Sequence, residues 1–169
     1  MIEIETTQNQ NVRNFYFSVP LLKNGESVYA ENVVESLPVF LQNIFLIGDI
    51  KRLLLLPDML FVEKMSEGDF EILEPQIMAQ IMEAEPFKIE SKGDIASKIE
   101  ALIEARVRPF LQKDGGNIEV CGFQNGILNV RFEGHCRGCP HADRTLKNAV
   151  ESVLKQYIPE IKEVIKEGA

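Results

Sequence analysis

Two cysteines near the C-terminal end of the chain, Cys136 and Cys139, have the spacing of a metal-binding or redox pair. They lie in the stretch EGHCRGCPHADRT, residues 133–145, together with His135 and His141. Paired thiols at this spacing serve structural zinc, disulfide exchange and iron–sulfur clusters alike. The number of ligands that the chain supplies, and the elements that carry them, must decide among these three kinds of site.

The pair is predicted to lie on a loop between a strand and a helix. ILNVRFE alternates as a strand does, and Pro140 stands where the first residue of a helix should be. Gly134 and Gly138 leave space where backbone must approach a bulky ligand. Because the positive end of a helix dipole stabilises thiolate over thiol, this position favours metal binding or thiol chemistry.

The ligand count separates the kinds of site. A structural zinc ion takes four protein ligands, and the adjacent His135 and Cys136 cannot easily both reach one ion. A 4Fe–4S cluster takes four thiolates, whereas the chain has three cysteines, and Cys121 falls on a predicted strand on the face opposite Ile118. Two chains that each give Cys136 and Cys139 supply four thiolates, so a bridged homodimer is the simplest iron–sulfur solution.

Two rival functions stay open at this point. A thiol–disulfide oxidoreductase also needs a cysteine pair at a helix N-terminus, although a thioredoxin-like fold would place that pair on an early βαβ unit. A zinc-stabilised binding module would be colourless and would unfold when a chelator removes the metal.

Two small domains are predicted, each a small β-sheet packed with helices, in the α+β or α/β class. The boundary lies near AEPFKIESKGD, residues 84–94, where proline, charge and glycine interrupt the apolar periodicity. We predict a first domain over residues 1–88 and a second over residues 94–167. The second has the order helix, hairpin, helix, strand, with Asp94 capping its first helix and QNG joining the two strands of its hairpin.

The first domain shows four strand patterns and two helix patterns. The strands are IEIETT, NFYFSV, IKRLLLL and MLFVEKM, the last two around a turn at Pro57-Asp58. SLPVFLQNIFLIGD predicts a helix with Ser36 as its N-cap. A second helix, expected to be bent or shortened by Pro75, follows a capping box of Ser66 and Asp69.

The net charge of −8 is unevenly distributed along the chain. Residues 1–93 hold 7 Lys and Arg against 15 Asp and Glu, and residues 94–169 hold 11 of each. Nucleic-acid binding needs clustered Lys and Arg, and neither half contains such a cluster. The charge therefore argues against a nucleic-acid partner. A solvated acidic surface is expected on the first half, and attraction of a basic partner protein is the alternative.

Composition predicts a globular protein outside the membrane. Hydrophobic residues make up 45% and charged residues 26% of the chain, and no apolar run has the length of a membrane span. The start MIEIETTQNQ resembles neither a secretory signal nor an Arg-rich transit peptide. On these grounds a cytoplasmic location is expected.

The second half resembles a known family. VRPFLQKDGGNIEV followed by GHCRGCPHADRTLKNAVESVLKQYIPEIKEV is similar to the C-terminal domain of NifU, the Nfu-type iron–sulfur scaffold domain. SLPVFLQNIFLIGDI and PDMLFVEKMSEGDFEILEPQI resemble the N-terminal domain that often precedes it. The family usually has small residues where His135 stands and serines where His141 and Ala142 stand. A surface histidine without a special role is expected at His135 and at His141.

The resemblance implies a scaffold or carrier rather than an enzyme. Its cofactor would be a 4Fe–4S cluster that bridges the two subunits of a cluster-dependent homodimer. Upstream cluster-assembly proteins and apo iron–sulfur proteins would be its partners. Carried over residue by residue, the resemblance makes Cys136 and Cys139 the ligands of the cluster and leaves Cys121 as a strand residue.

Overall fold

The computed structural model describes residues 1–89, 94–134 and 140–167, and for residues 140–145 it describes the backbone alone. Two separate sheets, one of five strands and one of three, are packed with helices, which confirms the predicted fold class. Within the described ranges, none of the helices combines the length and the apolar character needed to cross a bilayer.

The chain divides into two compact units, Met1–Lys98 and Ile99–Ala169. The domain limits expected from the sequence, residues 1–88 and 94–167, stay predictions.

The first unit is built on a five-stranded antiparallel sheet with the strand order β1-β2-β5-β4-β3. All four predicted strands are present, and β4 and β5 meet at the turn Pro57-Asp58. The short β3 was not predicted, because three residues are too few to show an alternating pattern. The strands are β1 Ile2–Thr6, β2 Val12–Phe17, β3 Val28–Ala30, β4 Ile50–Leu56 and β5 Met59–Lys64.

Two helices, α1 (Val39–Ile47) and α2 (Phe70–Glu83), close the core of the first unit. Both bury residues at helical spacing, and those residues share one core with the inward side chains of the sheet. Helix α1 contributes Phe40, Leu41 and Ile44, α2 contributes Phe70, Leu73, Ile77 and Ile81, and the sheet contributes Phe15, Leu53, Leu55, Leu60 and Val62.

The starts of these helices differ from the expectation. Helix α1 begins after Pro38, which has an extended backbone, and no side chain caps it, so Ser36 is not its N-cap. Helix α2 is capped by Asp69 alone, whose carboxylate accepts the N–H of Glu71 at 2.9 Å. Pro75 does not end α2. The proline ring removes one N–H donor, but burial of the later residues Ile77 and Ile81 favours continuation.

The second half of the chain has the predicted order of helix, hairpin, helix and strand. Asp94 caps the first helix by accepting the N–H of Ser97 at 2.9 Å, as expected. The hairpin strands are antiparallel, and the last strand joins the sheet β6-β7-β8 parallel to β7. The elements are α3 Ile95–Leu102, a π-helical turn Ile103–Val107, α4 Arg108–Gln112, β6 Gly116–Gln124, β7 Ile127–Gly134, α5 Pro140–Tyr157 and β8 Glu163–Lys166.

The hairpin turn sets the register of the small sheet. Asn125 and Gly126 have φ values of 55° and 81°, the left-handed backbone that a type I′ turn requires. Leu128, Val130 and Phe132 of β7 are therefore buried on one side of the sheet. The ladder between β6 and β7 is regular except for one extra residue, Cys121, inserted between Val120 and Gly122.

Candidate functional site

The segment that carries the cysteine pair connects β7 to α5. Strand β7 ends at Gly134 and helix α5 begins at Pro140, so residues 135–139 join them. His135, Cys136 and Cys139 all belong to this segment and lie outside the residues that the structure describes. His141 is in the first turn of α5, but its side chain also lies outside the description. The structure thus defines the two ends of the segment that would hold a ligand.

One end is fixed by close packing of backbone against backbone. Gly134 is paired with Gly116 across the hairpin and has φ of +72°. A Cβ atom added to Gly134 would lie 2.3 Å from the carbonyl oxygen of Gly115 and 3.2 Å from the Cα of Gly116. The turn between α4 and β6 therefore lies directly against the residue from which the cysteine segment leaves the sheet.

The sequence suggested a different role for Gly134, namely to leave space for a bulky ligand. In the structure, the group that needs this space is the Gly115 backbone. The pairing of Gly116 with Gly134 depends on the bulge at Cys121, which shifts the register by one residue. Gly122, a glycine inside a strand pattern, is a sequence signal for that bulge, but it gives neither the register nor the contact of Gly134 with Gly115.

The other end of the segment is the amino terminus of a long helix. Helix α5 runs for 18 residues from Pro140. Its first turn leaves backbone N–H groups without partners inside the helix, and the helix dipole places partial positive charge there. An anionic group held by Cys139, the residue directly before this turn, would be stabilised by both effects.

Cys121, the third cysteine, is exposed on β6. A hydrogen bond with Glu167 raises the pKa of the Cys121 thiol, and the small loss of solvent around it raises the pKa further. Its neighbour Val120 pairs with Val130, which lies four residues before Gly134, or roughly 13 Å along β7. An exposed thiol with a raised pKa, placed away from the end of β7, is not suited to join a site that begins after Gly134.

No other candidate metal site appears in the part of the chain that the structure describes. Within residues 1–89, 94–134 and 146–167, no three His, Cys, Asp or Glu side chains stand close enough together to hold an ion. The chemistry suggested by the sequence therefore depends on the segment between β7 and α5.

Comparison with known proteins assigns both halves of the chain. A model described as a NifU-like domain matches residues 99–165, and one described as the Nfu/NifU scaffold protein N terminus matches residues 2–85. NifU-like protein 5 of Arabidopsis thaliana is 30% identical over 98% of this chain and 67% of its own length. The chain belongs to the NifU-like, Nfu-type family. The family resemblance inferred from the residues is thereby confirmed.

Two further relatives match nearly the whole chain. NifU-like protein 4 of Arabidopsis thaliana is 32% identical over 98% of the Nfu-type chain. A human protein named NFU1 iron-sulfur cluster scaffold homolog is 29% identical over 96% of it. The chain spans 65% of the first relative's own length and 70% of the second's.

The cytoplasmic location expected from composition is wrong. All three relatives are named as mitochondrial proteins. That prediction rested chiefly on the start MIEIETTQNQ. Because targeting segments are removed from mature proteins, the residues at the start of a sequence are not a basis for excluding a compartment.

Proposed function

We propose that the Nfu-type chain is an iron–sulfur cluster scaffold and carrier, with no reaction of its own, whose cargo is a 4Fe–4S cluster. Cys136 and Cys139 from each of two copies would bind the cargo at the seam of a homodimer. The observation that carries this proposal is the placement of the cysteine pair on the short connection between β7 and the amino end of α5. Upstream assembly proteins would supply the cluster, and apo iron–sulfur proteins would receive it.

Two facts about the cysteines support a cluster shared between chains, and the name of a relative supports the kind of cargo. A cubane cluster needs four thiolates, and each chain offers two on the segment 135–139. Cys121 lies elsewhere on the sheet, with a raised pKa. A relative bears the name of an iron–sulfur cluster scaffold homolog. A dimer is the smallest assembly of this chain that completes the ligand set.

Release of the cargo would follow from ligand exchange. An incoming acceptor thiol binds an iron atom and gives up its proton, while the Cys136 or Cys139 thiolate that leaves the iron takes one up. Each exchange replaces one Fe–S bond with another, so neither iron nor sulfur is oxidised or reduced. Because only two thiolates per chain hold the cluster, few exchanges are needed.

The test is anaerobic reconstitution with ferrous iron and sulfide, followed by absorption spectroscopy, iron analysis and mass measurement. We expect a brown dimer with two irons per chain, four being shared by two chains. Cys136→Ser and Cys139→Ser should each abolish cluster binding, while Cys121→Ser should retain it.

Other outcomes point elsewhere. A colourless monomer that binds zinc and unfolds with a chelator would establish the zinc module. A colourless chain that cycles a disulfide with a thiol buffer would establish the oxidoreductase. Cluster retention in Cys136→Ser or Cys139→Ser would refute the ligand assignment.

A further inference from the structure

The outward side of α2 is apolar where a solvent-facing helix surface is normally polar. Ile72 is 64% exposed and Met82 is 76% exposed. Pro75 and Ala79 are exposed as well. These four residues follow one another at spacings of three, four and three, so they form one stripe along the helix. The stripe lies opposite the side that packs on the sheet.

Helix α1 extends this apolar surface. Val39 and Leu46 are 70% and 74% exposed, and because they are seven residues apart they lie on the same side of the helix. The side-chain amide of Asn43 donates to the Gln80 carbonyl oxygen at 2.9 Å, which joins α1 and α2 side by side on the sheet. We call the six exposed residues the outer helix surface: Val39, Leu46, Ile72, Pro75, Ala79 and Met82.

The charged residues within the α2 segment of the sequence are all acidic. From Met65 to Phe87 the chain has six carboxylates and no Lys or Arg. From Ser36 to Gly48, which includes α1, it has no charged residue. One of these carboxylates, Glu74, forms an ion pair with Arg13, whose Nε lies 2.9 Å from the Glu74 Oε1. The six carboxylates are Glu67, Asp69, Glu71, Glu74, Glu83 and Glu85.

We propose that the outer helix surface docks a partner protein through an amphipathic helix whose apolar stripe is flanked by Lys and Arg. Exposed apolar patches rimmed by polar residues mark interaction sites, and a helix laid on such a patch buries the apolar side chains of both partners. Basic flanking residues would face the carboxylates of Glu71 and Glu83, which speeds encounter and fixes the orientation.

The same charge disfavours the other possible occupants. A second copy presenting this surface would bring one set of carboxylates near another, because all the charged residues from Met65 to Phe87 are acidic. Anionic lipid headgroups and nucleic-acid phosphates would meet the same repulsion. The acidic rim thus selects a basic protein partner over a copy of this chain, a membrane or a nucleic acid.

The test uses the full chain and a fluorescently labelled, designed helical peptide with a leucine stripe flanked by Lys and Arg. A matched peptide has Glu in place of every Lys and Arg. Fluorescence anisotropy should show binding of the basic peptide, weaker at higher salt, and none of the acidic peptide. Ile72→Asn combined with Met82→Gln should raise the Kd about tenfold or more.

Two further variants separate the surface from generic stickiness. Val33→Asn removes an apolar residue that is 44% exposed in the loop before α1, and it should leave the Kd unchanged. Glu71→Gln combined with Glu83→Gln should weaken binding and reduce its salt dependence. Circular dichroism confirms that each variant keeps the fold.

Several results would overturn the proposal. They are equal binding of both peptides, no binding of the basic peptide, or an unchanged Kd in the folded Ile72→Asn, Met82→Gln chain. If the cluster-free chain self-associates and the double variant does not, the surface would be assigned to a second copy instead. Binding to anionic vesicles would assign it to a membrane. None of these measurements needs iron or sulfide, so they stand or fall separately from the cluster assignment.

Discussion

Gly134 lies so close to Gly115 that the backbone leaves no room for a side chain between them. A Cβ on Gly134 would sit 2.3 Å from the Gly115 carbonyl oxygen, and both glycines have left-handed φ values, +72° and +75°. The turn between α4 and β6 is therefore packed against Gly134, the residue after which the cysteine segment begins. The end of the candidate site at Gly134 is thus fixed to the neighbouring turn by backbone packing.

Gly134→Ala should destabilise the second unit and lower the iron bound per chain. The substitution forces a left-handed residue with a Cβ against a carbonyl oxygen, at an expected cost of about 1–3 kcal/mol in the free energy of unfolding. Thermal unfolding and iron analysis after anaerobic reconstitution measure the two effects.

Gly122→Ala is the matched control for this prediction. A Cβ on Gly122 meets nothing within 4 Å, and this glycine lies on the same hairpin. The Gly122→Ala variant should therefore bind as much iron as the unmodified chain. If Gly134→Ala and Gly122→Ala unfold at the same temperature and bind equal iron, the close contact has no influence on the cysteine segment.

The turns and buried stripes of this protein were predictable from sequence, while features set by tertiary packing were not. Asn125-Gly126 specified its hairpin because the turn type requires left-handed φ at both residues. The predictions at Ser36, an N-cap of α1, and at Pro75, an early end of α2, were wrong. Caps and helix breakers are weak local signals that packing on a sheet overrides. Gly122 inside a strand is typical of a bulge, but the contact of Gly134 with Gly115 follows only from the register of the folded hairpin.

The candidate site was predictable in its residue types and in its place between two elements. Spacing identified Cys136 and Cys139 as a pair, and Pro140 marked the helix that follows. The resemblance supplied the kind of cargo. A single chain contains only half of the proposed ligand set.

The reactivity of Cys121 should depend on Glu167. The hydrogen bond between the thiol and this carboxylate raises the thiol pKa, because a thiolate beside a negative charge is disfavoured. Glu167→Gln should therefore lower the pKa and shift the pH profile of iodoacetamide alkylation to lower pH. The measurement uses a chain with Cys136→Ser and Cys139→Ser, in which Cys121 is the remaining cysteine.

Glu163→Gln serves as the control. Glu163 lies on β8, the strand that Glu167 directly follows, but it is not among the groups that shift the Cys121 pKa. Its alkylation profile should match that of the parent chain. Identical profiles for Glu167→Gln and Glu163→Gln would show that Glu167 does not contact the thiol in solution.

Glu151 should make the stability of the second unit depend on pH. Its carboxylate accepts a hydrogen bond from Lys155 of the same helix at 2.8 Å and one from the Val164 backbone N–H at 3.0 Å. The second bond joins α5 to β8. These two bonds, the Lys155 bond first, lower the Glu151 pKa from its ordinary value of 4.5. A lowered folded-state pKa contributes stability above that ordinary value and loses it as the pH falls through the folded-state value.

Glu151→Gln should thus reduce the free energy of unfolding by about 1–2 kcal/mol at neutral pH, with the difference shrinking below pH 4.5. Urea unfolding at a series of pH values measures it. Glu119→Gln removes an ion pair with Arg131 whose partners are both 55% exposed, so it should change stability by less than about 0.5 kcal/mol. A Glu151→Gln deficit that persists unchanged in acid would exclude the charge as its cause.

Two isoleucines of α2 should differ in their effect on stability because they lie on opposite sides of the helix. Ile77 is 0% exposed in the core and Ile72 is 64% exposed on the outer helix surface. Ile77→Ala leaves a cavity and should cost about 2–4 kcal/mol, whereas Ile72→Ala should cost less than about 0.5 kcal/mol. Since the two units need not unfold together, hydrogen exchange of the β2 and β5 amides gives the stability of the first unit alone. Equal costs would mean that Ile72 packs against something in the isolated chain, and its role in docking a partner would then lose its basis.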